Sequence, residues 1–355
     1  MLLSHRKTVH AMWEEGYLPS SPSYASTLLA LNPHPYAPGW HQRLLAAPKG
    51  AYLAIDLMPT PHTGPAIQGL GQVYNPAAKA TRLGHLFLSS VLVFPGKDPY
   101  PLALKPHPVP GMETPDYPLK TPSEALLDEV FDLLAVHPQV DLKGVVADAQ
   151  FSSGLTLRSL LRAGIPFVGR MRSRVKVVLL EEGAEGEEEE GEVVPVGEVL
   201  QRYPPGRARY YRRFGLYAKR VRVVWPGVGR VDMVLVHKAQ GAGWRRWVLV
   251  STLGGGVQEV LEAWTLRWKV EVVHRLFKGN LGQGRSQARG YAVQLAHSEL
   301  VVQAFHEVRR VREERPGLMW RHAQREAGRR FREALLTGPQ ATSPPRRLAR
   351  KEGGT

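Results

Sequence analysis

Residues 144–170 read Gly144-Val-Val-Ala-Asp148-Ala-Gln-Phe-Ser-Ser-Gly-Leu-Thr-Leu-Arg-Ser-Leu-Leu-Arg-Ala-Gly164-Ile-Pro-Phe-Val-Gly-Arg170. The apolar run from Gly144 to Asp148 predicts a short buried strand that ends in a carboxylate. Leu155 to Ala163 predicts a helix closed by Gly164, and Pro166 to Arg170 predicts another strand. Strand, helix and strand in that order point to an α/β core, a mixed sheet covered on its faces by helices.

Upstream, Ala51 to Asp56 is a second compact apolar run ending in a carboxylate; with Gly71 to Tyr74 and His85 to Phe94 it predicts a three-stranded meander. Pro95 to Pro118 is proline-rich and predicts a loop. Thr121-Pro122-Ser123-Glu124 then carries a capping box with proline in the first turn, which predicts a helix to about Val136. Before residue 51 two short helices are expected, around His5–Glu15 and Tyr24–Leu31. Downstream, residues 175–253 contain several strand-like runs and predict an inserted β-rich subdomain. The chain is mainly helical from Gly256, and a disordered basic tail is expected after Pro344. The domains expected are thus 1–50, 51–174, 175–253, 254–310 and 311–355.

The formal net charge is +15, and the run Glu181 to Glu192 holds eight glutamates, so the remainder carries +23. Such an excess calls for an anionic partner, and nucleic acid is the first candidate because each neutralised phosphate releases counterions. The acidic run itself is expected to be a solvated loop. No apolar stretch of about 18 residues and no signal core are present, so the expectation is no membrane partner and a cytoplasmic, nucleoid-associated protein. There is no cysteine, which excludes disulfides, thiolate metal sites and cysteine nucleophiles. Carboxylates and histidines are left as ligands or acid–base groups.

From Val257 to Lys278 neither proline nor glycine interrupts the chain, and Gly279-Asn280 supplies a stop. At helical spacing Trp264, Arg267, Glu271, Arg275 and Lys278 fall within about 80° of one another, while Leu266, Val270, Val273 and Phe277 occupy the opposite side. Glu271 is therefore expected on a non-core face among cations. His62, His107 and His274 have no metal-ligand spacing among themselves and are expected to be structural or surface residues. Transfer of a phosphodiester needs in-line attack on a charged centre, which two divalent ions about 3.5–4 Å apart can promote. Such hard ions want carboxylates, and Asp56 and Asp148 at strand ends with Glu271 from a facing helix would supply them.

The stretch Trp264-x2-Arg267-x3-Glu271-x6-Lys278 resembles the Tyr-x2-Arg-x3-Glu-x6-Lys signature of DDE transposases of bacterial insertion sequences, the insertion-sequence-4-like branch. Spacing agrees at every step, with tryptophan in place of tyrosine. Val145-Val-Ala-Asp148-Ala-Gln-Phe151 and Ala51-Tyr-Leu-Ala-Ile-Asp56 look like the surroundings of that family's two aspartates. The resemblance covers roughly residues 50–310. It implies an RNase H-like core interrupted by a β-rich insertion before the glutamate helix. It also implies Asp56, Asp148 and Glu271 as catalytic metal ligands for two Mg2+ or Mn2+ ions. Arg267 and Lys278 would then meet phosphates, with Trp264 and Arg275 beside the DNA end. The implied partner is double-stranded DNA, both element ends and target, engaged by a homodimer. The N-terminal segment is short for this family, so the arginines and tyrosines of residues 207–222 are a second expected DNA surface. The competing readings are a nuclease without strand transfer and a transposase-derived protein that only binds DNA.

Overall fold

The computed structural model describes residues 49–62, 67–75, 78–114, 117–138, 140–180, 191–286 and 289–337. The two N-terminal helices, nearly all of the acidic run and the basic tail expected from the sequence lie outside these residues. The described strands are β1 (Ala51–Pro61), β2 (Gly71–Asn75), β3 (Ala80–Val93), β4 (Tyr100–Pro106), β5 (Leu142–Ala147), β6 (Phe167–Met171), β7 (Lys176–Leu179), β8 (Glu192–Pro195), β9 (Arg209–Tyr211), β10 (Leu216–Trp225), β11 (Gly229–Gln240) and β12 (Gly243–Ser251). The helices are α1 (Pro122–Val136), α2 (Gly154–Arg162), α3 (Val196–Arg202), α4 (Val257–Gly279), α5 (Tyr291–Glu314) and α6 (Trp320–Thr337).

All these strands belong to one mixed sheet, in the order β2-β3-β1-β5-β6-β12-β11-β10-β7-β8, with β4 on β3 and β9 on β10. The strand–helix–strand unit read from residues 144–170 is β5, α2 and β6, with β5 parallel to both β1 and β6. Gly144, the third residue of β5, has φ 153°, and a Cβ there would lie 2.7 Å from the Pro166 carbonyl oxygen. A side chain at that position would push the two parallel strands apart.

The period-2 alternation of β1 sorts the molecule into two layers. Leu53 and Ile55 point into a cluster with residues of α1, α2 and α3, whereas Tyr52 and Ala54 point into a second cluster with residues of α4, α5 and α6. The helices thus cover both faces of the sheet, as the α/β expectation requires. Thr121 caps α1, its side chain and that of Glu124 completing the expected capping box. Among the described residues no helix is long and apolar enough to cross a membrane.

Four features differ from the sequence expectation. The first three strands do not pair as a meander, because β3 lies between β1 and β2 and runs antiparallel to both. The proline-rich stretch contains β4, whose prolines are tolerated because it pairs on one side only, with β3. Residues 192–202, read from sequence only as the end of the acidic run and part of the β-rich stretch, form β8 and α3. Among the described residues the strands of the β-rich stretch continue the first sheet, because Val248–Ser251 of β12 pair antiparallel with residues 168–171 of β6.

Candidate metal centre

Asp56 is even-numbered like Tyr52 and Ala54, so it projects on the α4 face of β1. On the neighbouring strand Val146 points to that face, and Asp148 follows it by two. The parallel register pairs Ile55 with Ala147, which places the next residue of each strand, Asp56 and Asp148, side by side across a spacing of about 4.8 Å. Each carboxylate accepts a hydrogen bond from the following backbone N–H, Leu57 N at 2.9 Å and Ala149 N at 2.8 Å. That local contact engages one oxygen of each carboxylate.

Helix α4 crosses this pair. Val260, Leu261, Ala263, Leu266, Val270, Val273 and Phe277 pack into the second cluster. Lys269 donates to the carbonyls of Phe94 and Lys97 and so ties the helix to the end of β3. With the helix seated this way, Asp56, Asp148, Glu271, His274, Arg275 and Lys278 line one open cleft of about 690 Å³. Ligand atoms of Asp56, Glu271 and His274 all lie within 4.8 Å of one another.

Arg267 stands over this cluster, its guanidinium 3.8 Å from Asp56 Oδ2 and 3.8 Å from Glu271 Oε1. Both distances are too long for a hydrogen bond. The same guanidinium lies 4.7 Å from the centre of the Trp264 ring, a cation–π contact that holds the arginine back. Trp264 is itself partly buried against the second cluster.

Burial dominates the electrostatics. It pushes the Asp56 carboxyl up to about 7; Arg267 works against that shift, while Glu271 and Asp148 add to it. The His274 imidazole is pushed down to about 3 by burial, assisted by Lys278 and Arg267, so it is neutral at ordinary pH. The Lys278 ammonium is lowered by burial against the pull of Glu271 and Asp56. The site thus holds a carboxyl poised to lose its proton and a neutral imidazole. A cation binds the neutral imidazole, and binds the carboxyl once it has lost its proton.

No family model and no curated protein matches this chain.

The structure brings Asp56, Asp148, Glu271, Arg275 and Lys278 to one cleft, as the sequence suggested. Two of the helix residues are more buried than the non-core stripe read off the wheel implied. Arg267 is buried, 8% exposed, and Trp264 packs beneath it. His274, expected to be a structural or surface residue, also lines the cleft. A usable signal was present in Glu271-x-x-His274, because i and i+3 side chains share one helix face. His62 and His107 are the structural residues expected: both lie outside the cleft, and His62 pairs with His85 at 3.1 Å.

Proposed function

We propose that this chain is a DDE-type DNA transposase that cleaves and joins phosphodiesters at element ends using Asp56, Asp148 and Glu271. The observation that carries this reading is that three carboxylates from β1, the end of β5 and α4 meet at one cleft edged by Arg275 and Lys278. The unit β4-β3-β1-β5-β6, in which only β3 runs against the others, supports an RNase H-like core, with β7 to β12 as the interruption before the glutamate helix.

Asp56, Asp148 and Glu271 would hold two Mg2+ or Mn2+ ions, and such ions supply Lewis acidity and an activated oxygen nucleophile. Asp56 Oδ2 and Glu271 Oε1, which face Arg267 at 3.8 Å without a hydrogen bond to it, and the buried Nε2 of His274, which has no hydrogen-bond partner among the described residues, suit such ions. Arg275, exposed at the rim, and Lys278, half-buried beside Glu271, offer charge to the phosphates on either side of the scissile bond. Arg267 neutralises part of the carboxylate charge before cations enter. It does so without occupying their oxygens, because Trp264 restrains it. Double-stranded DNA is the partner that the basic surface fits, held at two ends by a homodimer.

The test uses a supercoiled plasmid bearing the segments that flank the gene. Incubated with the protein and Mg2+ or Mn2+, it should be cut at the element ends and rejoined to target DNA, and Asp56→Ala, Asp148→Ala and Glu271→Ala should each abolish both steps. Cutting without joining would favour the nuclease reading. Binding without metal-dependent cutting would favour the non-catalytic one.

A further inference from the structure

His274 lies one helical turn beyond Glu271 and is 7% exposed, yet it lines the cleft rather than the apolar core. Its Nε2 is buried and has no hydrogen-bond partner among the described residues. A buried polar atom left in that state costs free energy unless something else satisfies it. Its ring offers a ligand atom within 4.8 Å of those of both Asp56 and Glu271. We infer that His274 is a nitrogen ligand to a divalent cation shared with Asp56 and Glu271, which makes one of the two positions a mixed nitrogen–oxygen site that selects Mn2+ over Mg2+.

The selectivity follows from ligand chemistry. Mg2+ demands near-ideal octahedral oxygen coordination and gives up its waters reluctantly, whereas Mn2+, though it also takes carboxylates and is the weakest binder of the first-row divalent series, is a transition ion that accepts an imidazole nitrogen more readily than Mg2+ does. Asp148 lines the same cleft outside this close group. It is left to serve the second, all-oxygen position. The inference rests on the metal-centre reading proposed above and adds to it the identity of one ligand and one metal.

Pulsed electron paramagnetic resonance on the full chain loaded with Mn2+ tests it without reference to DNA cleavage. The wild type should show 14N modulation from a coordinated imidazole. His274→Gln should bind Mn2+ about tenfold more weakly, lose the modulation, and keep its Mg2+ affinity nearly unchanged. Mn2+ that binds with dependence on Asp56 but shows no nitrogen coupling would overturn the His274 assignment while leaving the carboxylate site intact. Coupling that persists in His274→Gln would overturn it equally. Absence of any Asp56-dependent Mn2+ binding would remove both the assignment and the metal centre beneath it.

Discussion

Asp56 in β1 and Asp232 in β11 lie on strands of one sheet, each side chain 13% exposed and each facing an arginine. At Asp232 the pair is closed: Arg220 donates to the carboxylate at 2.5 Å and to the Gly255 carbonyl at 3.0 Å, so the ion pair ties β10 and β11 to the entry of α4. At Asp56 the pair is open. Arg267 stops 3.8 Å short, restrained by Trp264, and the carboxyl is raised to about 7 because burial outweighs the distant cation. The same residue types at the same burial thus serve two ends. A carboxylate hydrogen-bonded to its cation holds strands together, and one kept beyond bonding distance retains lone pairs for something else.

The sharpest way to break this comparison is to delete the open carboxylates. Asp148→Asn or Glu271→Gln should reduce metal-dependent DNA cleavage by on the order of 10³-fold or more while the circular dichroism spectrum stays that of the wild type. Asp232→Asn in the same assay should cut DNA at a near-normal rate once folded. If all three lose activity in parallel with loss of fold, the distinction between the two kinds of carboxylate fails.

A smaller effect is expected in stability, with opposite signs at the two aspartates. Asp232→Ala strips Arg220 of its charged partner and should cost roughly 1.5–3 kcal/mol in denaturant unfolding. Asp56→Asn should instead stabilise the metal-free protein at high pH. The folded-state value of Asp56 is raised, so its contribution is fully present below the unfolded value of 3.8 and is lost as pH rises through about 7. Replacing it should therefore raise the melting temperature by a few degrees at pH 8 and leave it unchanged near pH 4. Equal shifts at both pH values would mean that the Asp56 charge is not what the fold resists.

Trp264→Ala should lower stability by about 3 kcal/mol, the low end for a buried aromatic, and release Arg267 toward the carboxylates. Trp264→Phe should keep most of the stability. A variant Trp264→Ala that melts like the wild type would show that the ring's place is at the DNA end alone. The smallest effect belongs to the rim: DNA affinity should fall with salt at a log–log slope of about −0.9 per phosphate, and Arg275→Ala should reduce that slope by roughly one. An unchanged slope would take Arg275 off the DNA path.

Much of this was legible in residue order. An apolar run with a carboxylate after it located β5, the capping box located α1, and an uninterrupted span of residues located α4; the run to Asp56 gave only the first half of β1, which continues past that carboxylate to Pro61. The parts that were not legible share a physical cause. β4 hides among prolines because an edge strand needs fewer donors than the general rule assumes. Continuity of the sheet from β6 into β12 depends on pairing across distant residues, which local pattern does not encode. On the wheel of α4, Arg267 and His274 fall at the border between the apolar stripe and Glu271. A division into core and solvent faces has no place for a third surface that lines a cleft.

The most direct test is a calorimetric titration of the DNA-free protein with Mn2+ at pH 8, where Asp56 is ionised, in the wild type and in Asp56→Asn and Glu271→Gln. The account predicts saturable binding in the wild type that weakens at least about tenfold in each variant, while Asp232→Asn binds as the wild type does. Binding that is equal in all four proteins, or absent from the wild type at millimolar metal, would contradict the claim that the open carboxylates of this cleft form a metal centre.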